Sequence, residues 1–149
     1  MFRGNHPAKV DEKGRLKLPA AFKQLLDAQH VTQFYVTSED GVTAKIWPLP
    51  EWEKWEVKLA QHGTMNDAVQ KYLNLTSYYG QQVEMDSQSR ILLPQVLRED
   101  AKLDAEVDVM GKINVIEVHN HARFKADMAA NAMSAEERKS VAEIYSGRS

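Results

Sequence analysis

An α+β fold, built as a tandem duplication with a strand-rich, barrel-like core and helices outside it, is what this sequence predicts. Three observations carry that expectation. The stretch VDEKGRLKLPAAF at 10–22 returns as MDSQSRILLPQVL 75 residues later, with Asp11 answered by Asp86, Arg15 by Arg90, Leu16 by Ile91, Leu18 by Leu93 and Pro19 by Pro94. Alternating apolar and polar residues mark short strands in both copies. Apolar residues at three- and four-residue spacing mark amphipathic helices between and after them.

The first copy reads as a hairpin feeding a helix. Val10 ends a strand, Asp11-Glu12-Lys13-Gly14 has turn chemistry, and Leu16 and Leu18 alternate with Arg15 and Lys17. Gly14 suits a backbone position with positive φ. Pro19 stops the strand and opens a helix with Phe22, Leu25 and Leu26 on one face. Strands follow at QFYVT (33–37) and VTAKIW (42–47), joined across Ser38-Glu39-Asp40-Gly41 and ended by Pro48 and Pro50. A helix from Glu51 to about Gln61 sets Trp52, Trp55 and Leu59 at helical spacing, with the tryptophans read as core or interface. Another helix spans 65–75, and Tyr78-Tyr79-Gly80 breaks it.

The second copy begins with strand QVEM (82–85), turn Asp86-Ser87-Gln88-Ser89, strand Arg90–Leu93 and a helix from Pro94. VDVMGKINVIEV (107–118) reads as a tight hairpin around Gly111-Lys112. ARFKADMAANAM is helical, and Ser134 with Glu137 three residues on forms a capping box that opens SAEERKSVAEIY. A period of 75 in two copies is too long for a solenoid. Residues 1–62 and 81–149 therefore form two halves, with 63–80 a helical connector. Each half is too small to bury both faces of its strands, and interlocking the two covers them.

Composition narrows the function classes. The 149 residues are 43% apolar and 27% charged, as in a globular protein. No run of about 18 apolar residues offers a membrane span, and the start MFRGNHPAK lacks the apolar region of a secretory signal. The absence of cysteine removes disulfides and thiolate metal sites, and a cytoplasmic location is the expectation. The net charge of −2 is uneven: residues 1–23 hold six basic side chains against two acidic ones, a balance of +4, and the remainder carries −6. Such asymmetry marks an electropositive surface on an acidic body.

The Asp-x-x-x-Arg spacing has a physical use. An Asp at one end of a four-residue turn accepts from turn N–H groups and from the arginine, pinning the turn and aiming the guanidinium outward. An arginine so held suits a phosphate or the O6/N7 edge of guanine. His119-Asn120-His121 has no acidic residue within it to complete a metal site, so exposed or lightly packed histidines are expected there. No GxSxG, SxxK, P-loop or GxGxxG motif occurs. No catalytic residue, metal, cofactor or small-molecule substrate is expected.

These two Asp-x-x-x-Arg copies, with MFRG at the start, KVDEKGRLKLPAAF near it and GKINVIEVHNHARF after the second copy, resemble the MraZ family over almost the whole chain. The resemblance implies a bacterial transcriptional regulator with a tandem duplicated AbrB-like (SpoVT-AbrB) swapped-hairpin β-barrel and peripheral helices. It implies a ring-shaped homo-oligomer binding double-stranded DNA at short direct repeats, in the promoter of the division and cell-wall gene cluster, and hence nucleoid association. Carried over residue by residue, the family's motifs fall on Asp11 and Arg15 and on Asp86 and Arg90. Arg15 is then the reader of guanines or phosphates, Arg90 its counterpart, and Asp11, Gly14 and Asp86 position the turns. Local charge adds Lys13, Lys9 and Arg3 as partners of the DNA backbone. Ser89 stands where Gly14 stands in the first copy, and Gln88 and Leu92 replace Lys13 and Lys17. A strained or reshaped second turn is therefore expected, with the first copy the stronger site. The competing expectations are a ring-forming protein-interaction module without specific DNA binding, and an AbrB-like antitoxin, against which the duplicated length speaks.

Overall fold

The chain writes ββαββαα twice. In the computed structural model, which describes residues 1–147, the first copy comprises β1 (Asn5–Lys9), β2 (Arg15–Lys17), α1 (Ala20–Ala28), β3 (Gln33–Thr37), β4 (Ala44–Pro48), α2 (Leu49–His62) and α3 (Asp67–Tyr78). The second comprises β5 (Gln81–Glu84), β6 (Arg90–Leu92), α4 (Gln95–Asp100), β7 (Glu106–Lys112), β8 (Val115–Asn120), α5 (His121–Ala130) and α6 (Ala135–Tyr145).

The six strand ladders among the described residues are all antiparallel, and four of them join one copy to the other: β1 to β7, β2 to β6, β3 to β5 and β4 to β8. The six-stranded sheet runs β1-β7-β8-β4-β3-β5, an order that reads the same from either end when the copies are exchanged. β2 and β6 make a second, two-stranded sheet. The fold class is thus mixed α+β, with the halves interleaved strand by strand. One core takes residues from both copies, with Leu16, Phe22, Phe34, Ile46, Ile91, Leu97, Leu103 and Ile116 at 1% exposure or less.

The expected first hairpin is only half correct. Its turn closes, with the Asp11 N–H donating to the Arg15 carbonyl at 2.9 Å. Beyond the turn β2 pairs with β6 rather than with β1. A three-residue strand is marginal alone, and pairing the two equivalent strands puts Leu16 and Ile91 side by side at 0% exposure. The ribbon is lengthened at both ends by Leu18 N–H to the Ser89 carbonyl and Leu93 N–H to the Gly14 carbonyl, each 2.9 Å, two bonds that exchange under the repeat.

Several boundaries differ from expectation, β4 beginning at Ala44 rather than Val42 and α5 ending at Ala130 rather than Met133 among them. Pro50 lies in the first turn of α2, where a missing N–H costs nothing, so the helix begins at Leu49 instead of Glu51. α3 continues to Tyr78, and the break falls at Tyr79-Gly80. The β7–β8 turn falls at Ile113-Asn114, not Gly111-Lys112. Gly111 is needed inside β7 because the Phe2–Arg3 backbone crosses it too closely for any Cβ. The capping box forms as expected: Ser134 Oγ accepts from the Glu137 N–H at 3.0 Å, and Glu137 Oε1 accepts from the Ser134 N–H at 2.9 Å. Among the described residues no helix is long and apolar enough to cross a membrane.

Candidate nucleic-acid interface

The two Asp-x-x-x-Arg turns are built alike, atom for atom. Asp11 Oδ1 accepts from the Lys13 N–H at 3.0 Å and the Arg15 N–H at 2.8 Å, and Oδ2 accepts from Arg15 Nε at 2.9 Å. Asp86 Oδ1 accepts from the Gln88 and Arg90 N–H groups, both at 2.9 Å, and Oδ2 from Arg90 Nε at 2.7 Å. The N–H of Arg15, then its guanidinium and the N–H of Lys13, hold the Asp11 carboxyl below its ordinary value; Arg90 and Gln88 do the same for Asp86. Because each aspartate takes Nε, the two Nη groups of Arg15 and of Arg90 have no protein partner among the described residues.

The expected reshaping of the second turn does not occur. Ser89 adopts φ 62 where Gly14 has φ 84. Its N–H reaches the Asp86 carbonyl at 3.0 Å, as that of Gly14 reaches Asp11 at 2.9 Å. The cost is a serine in the left-handed region, which few non-glycine residues occupy. The two turns differ instead in what stands beside them. Arg98 lies against Gly14 and donates from Nε to the Leu93 carbonyl at 3.0 Å. Its equivalent in the first copy, Lys23, is held by Asp27 inside α1.

Pleating decides what β2 and β6 display. Leu16 and Ile91 point inward, so Arg15, Lys17, Arg90 and Leu92 share the outer face. Across the ribbon Lys17 stands opposite Arg90, and Arg15 opposite Leu92. Arg15 and Arg90 are a quarter or so exposed (28% and 25% of the side chain), and Lys17 is exposed. Lys17 is the functional candidate that the sequence expectation left out; its regular alternation with Leu16 and Leu18 was the available signal. Lys13, in the turn, and Lys9, at the end of β1 that leads into it, are both exposed. Arg3 is not brought to this cluster. It precedes β1, beside Gly111, with the length of the strand, roughly 13 Å at 3.3 Å per residue, between it and the turn.

Of the two histidines, His119 departs from expectation, whereas His121, with 40% of its side chain exposed, keeps to it. His119 is 7% exposed, stacks on Phe124 with ring centroids 3.8 Å apart, and contacts Glu117 Oε1 at 2.9 Å and Thr43 Oγ1 at 3.3 Å. Burial pushes the Glu117 carboxyl up, but the His119 hydrogen bond, with Lys112 and Lys45 nearby, outweighs it and leaves the group below its usual value. His121 begins α5 and meets Asp108 Oδ2 at 2.8 Å. Both imidazoles are thus spent on structural pairs. Among the described residues no three His, Asp or Glu side chains converge as a metal site. Trp52 is buried and stacked on Tyr35, while Trp55 Nε1 donates to the Tyr72 hydroxyl at 2.8 Å.

Fold and site together define a duplicated α+β chain that displays a cationic β-ribbon between two matched turns. The chain belongs to the MraZ family: the family model described as "MraZ protein, putative antitoxin-like" matches residues 1–74 and 80–142. A relative named transcriptional regulator MraZ, from Acidobacterium capsulatum, is 56% identical over 144 residues, 97% of this chain and 99% of the relative. The protein of that name from Koribacter versatilis is 44% identical over 145 residues, again 97% and 99% of the two chains. That from Thiobacillus denitrificans is 36% identical over 129 residues, 87% of each.

Proposed function

We propose that the protein is a sequence-specific, DNA-binding transcriptional regulator that acts as a ring-shaped homo-oligomer on promoter direct repeats, those of the division and cell-wall gene cluster. Membership in a family whose curated relatives are named transcriptional regulators supports the reading. The single observation that carries it is the outer face of the β2–β6 ribbon, where Arg15, Lys17 and Arg90 stand together with both arginines held at Nε by a carboxylate. A two-stranded antiparallel ribbon fits the major groove. Arginines fixed at Nε present their Nη groups to guanine O6/N7 or to phosphate, while Lys13 and Lys9 neutralise the backbone. Arg3, at the far end of β1, adds long-range attraction.

The same reading closes the two sheets into a swapped-hairpin, AbrB-like barrel, with residues 1–62 and 81–149 as its halves and 63–80 as the connector between them. One subunit presents few cations, so its own affinity is weak and salt-sensitive. A ring that sets several ribbons on adjacent repeats gains by avidity without new contacts. The working location is the cytoplasm, on the nucleoid, and no cofactor enters the mechanism.

The test is fluorescence anisotropy on a duplex carrying three G-rich direct repeats about one helical turn apart, against a scrambled duplex, across a salt series. Repeat-dependent binding that is lost in Arg15→Ala upholds the reading. Equal, weak binding to both duplexes, indifferent to Arg15, overturns it. That outcome favours a protein-interaction ring, a reading to which α6 lends support: it buries no residue and exposes Val141, Ile144 and Tyr145.

A further inference from the structure

We infer that the reading ribbon is directional and that Leu92 makes it so, by packing on the C5 methyl of a thymine next to the guanine that Arg15 reads. The inference rests on the DNA-binding role proposed above and names what that site recognises.

A ribbon made of two identical strands would show the same outer face from either end. It would accept a DNA element in both orientations and could not tell direct from inverted repeats. Here the exchange of copies maps Arg15 onto Arg90 and Leu16 onto Ile91, so the arginines and the buried pair keep the symmetry. On the outer face of the ribbon the break falls at one pair of equivalent positions, Lys17 and Leu92. Arg15 therefore has an apolar neighbour directly across the ribbon, and Arg90 has a cation.

A lone exposed leucine is ordinary on a protein surface. Register gives this one its meaning. Leu92 is 43% exposed while the residue before it, Ile91, is 0% exposed, so pleating presents Leu92 to solvent on the same face as the two guanidiniums. Directly opposed side chains in an antiparallel pair stand roughly 5 Å apart at Cβ, between one and two base steps of about 3.4 Å. Arg15 and Leu92 thus address neighbouring base pairs. In the major groove thymine is the base that offers a methyl group, and apolar side chains are its partners. The other end of the ribbon, with Lys17 beside Arg90, favours guanine or phosphate at both positions. Glu12 and Lys13 also differ from their equivalents Ser87 and Gln88, but all four are turn residues beyond the ribbon. A head with one methyl-reading end and one fully cationic end has a polarity, and identical heads around a ring suit elements repeated in one direction.

The experiment uses the full chain and a duplex that the wild-type protein selects from a randomised pool. Each thymine is replaced in turn by deoxyuridine, which removes only the C5 methyl. Wild type is expected to lose about fourfold in affinity, the order of one buried methyl group, at one thymine next to the guanine whose discrimination Arg15→Ala abolishes. Leu92→Ala is expected to be indifferent to that replacement. Leu92→Lys, which restores the repeat symmetry, is expected to bind direct and inverted arrangements of the element equally, where wild type prefers direct ones. Leu92 is exposed, so both variants should keep the wild-type urea midpoint. The inference is overturned if no thymine responds, if the same loss persists in Leu92→Ala, or if the selected element has no thymine beside that guanine. Those results leave Arg15-dependent binding in place. Failure to select any element sinks the DNA reading itself and this inference with it.

Discussion

The guanidinium of Arg98, in the second copy, fills the space that a Cβ on Gly14, in the first, would need: Cζ lies 2.5 Å and Nε 2.6 Å from that position. Gly14 also has φ 84, so two separate demands fall on the same residue. Gly14→Ala should cost about 1–3 kcal/mol through left-handed strain and displacement of Arg98. In an Arg98→Ala background the clash is gone, and the same substitution should cost clearly less. Urea unfolding of the four proteins in this cycle measures the coupling. An equal cost in both backgrounds would mean that backbone strain alone excludes a side chain at this position.

The counterpart position gives a prediction of opposite sign. Ser89 holds φ 62 with the same turn hydrogen bonds. Ser89→Gly should relieve strain and change stability by no more than about 1 kcal/mol, in the stabilising direction. Gly14→Ser should destabilise. Matching signs for the two exchanges would show that the turns are not equivalent in energy despite their equal geometry.

What the sequence makes legible here is local. Asp11 and Arg15, with Asp86 and Arg90, declare their turns by spacing, and Ser134 with Glu137 declares a helix start. What it hides is non-local. Nothing in RLKL says that β2 pairs with β6, and only that register puts Lys17 opposite Arg90 and Leu92 opposite Arg15. Arg98 in QVLRED looks like any surface cation until the other copy folds against it. The β7–β8 turn is misplaced for the same reason: Gly111 has turn chemistry, yet it serves the crossing of Phe2 and Arg3, and Ile113 takes φ 67 instead. His119 reads as exposed from its place in the polar run His119-Asn120-His121, while the ring that buries it, Phe124, arrives from the next helix.

The aspartates give a test in which two effects oppose each other. Removing a carboxylate beside a polyanion should raise affinity by simple electrostatics. If Asp11 acts by fixing Arg15, Asp11→Asn should instead lower affinity for the direct-repeat duplex, toward the level of Arg15→Ala. Anisotropy at two salt concentrations separates the outcomes: tighter binding on neutralisation would refute the positioning role of the aspartate.

Acid should unlock both turns. The folded carboxyls of Asp11 and Asp86 are held below the ordinary aspartate value, chiefly by the N–H groups of Arg15 and Arg90. A depressed folded value contributes stability above the unfolded value and loses it as pH falls through the folded one. Carboxyl carbon shifts in an NMR titration should therefore show both midpoints below the ordinary aspartate value, with the Lys13, Arg15, Gln88 and Arg90 amides shifting in step. A midpoint at or above that value for either residue would contradict the hydrogen bonds assigned to it.

Helix α6 poses a question of coupling. Its capping box is complete, with the Ser134 N–H holding the Glu137 carboxyl below its ordinary value, yet the helix buries no residue. An isolated helix of eleven residues is marginal in water, so its cap is a large part of what holds it. Ser134→Ala removes the oxygen that accepts the Glu137 N–H and should cost about 1 kcal/mol of helix stability. Because α6 shares no buried side chain with the core, that loss should stay local. Hydrogen exchange should speed up at residues 135–145 while the midpoint of global unfolding stays put. A midpoint that falls with the cap would mean that α6 is packed in the folded assembly, and the face carrying Val141, Ile144 and Tyr145 would then be the place to look for its cover.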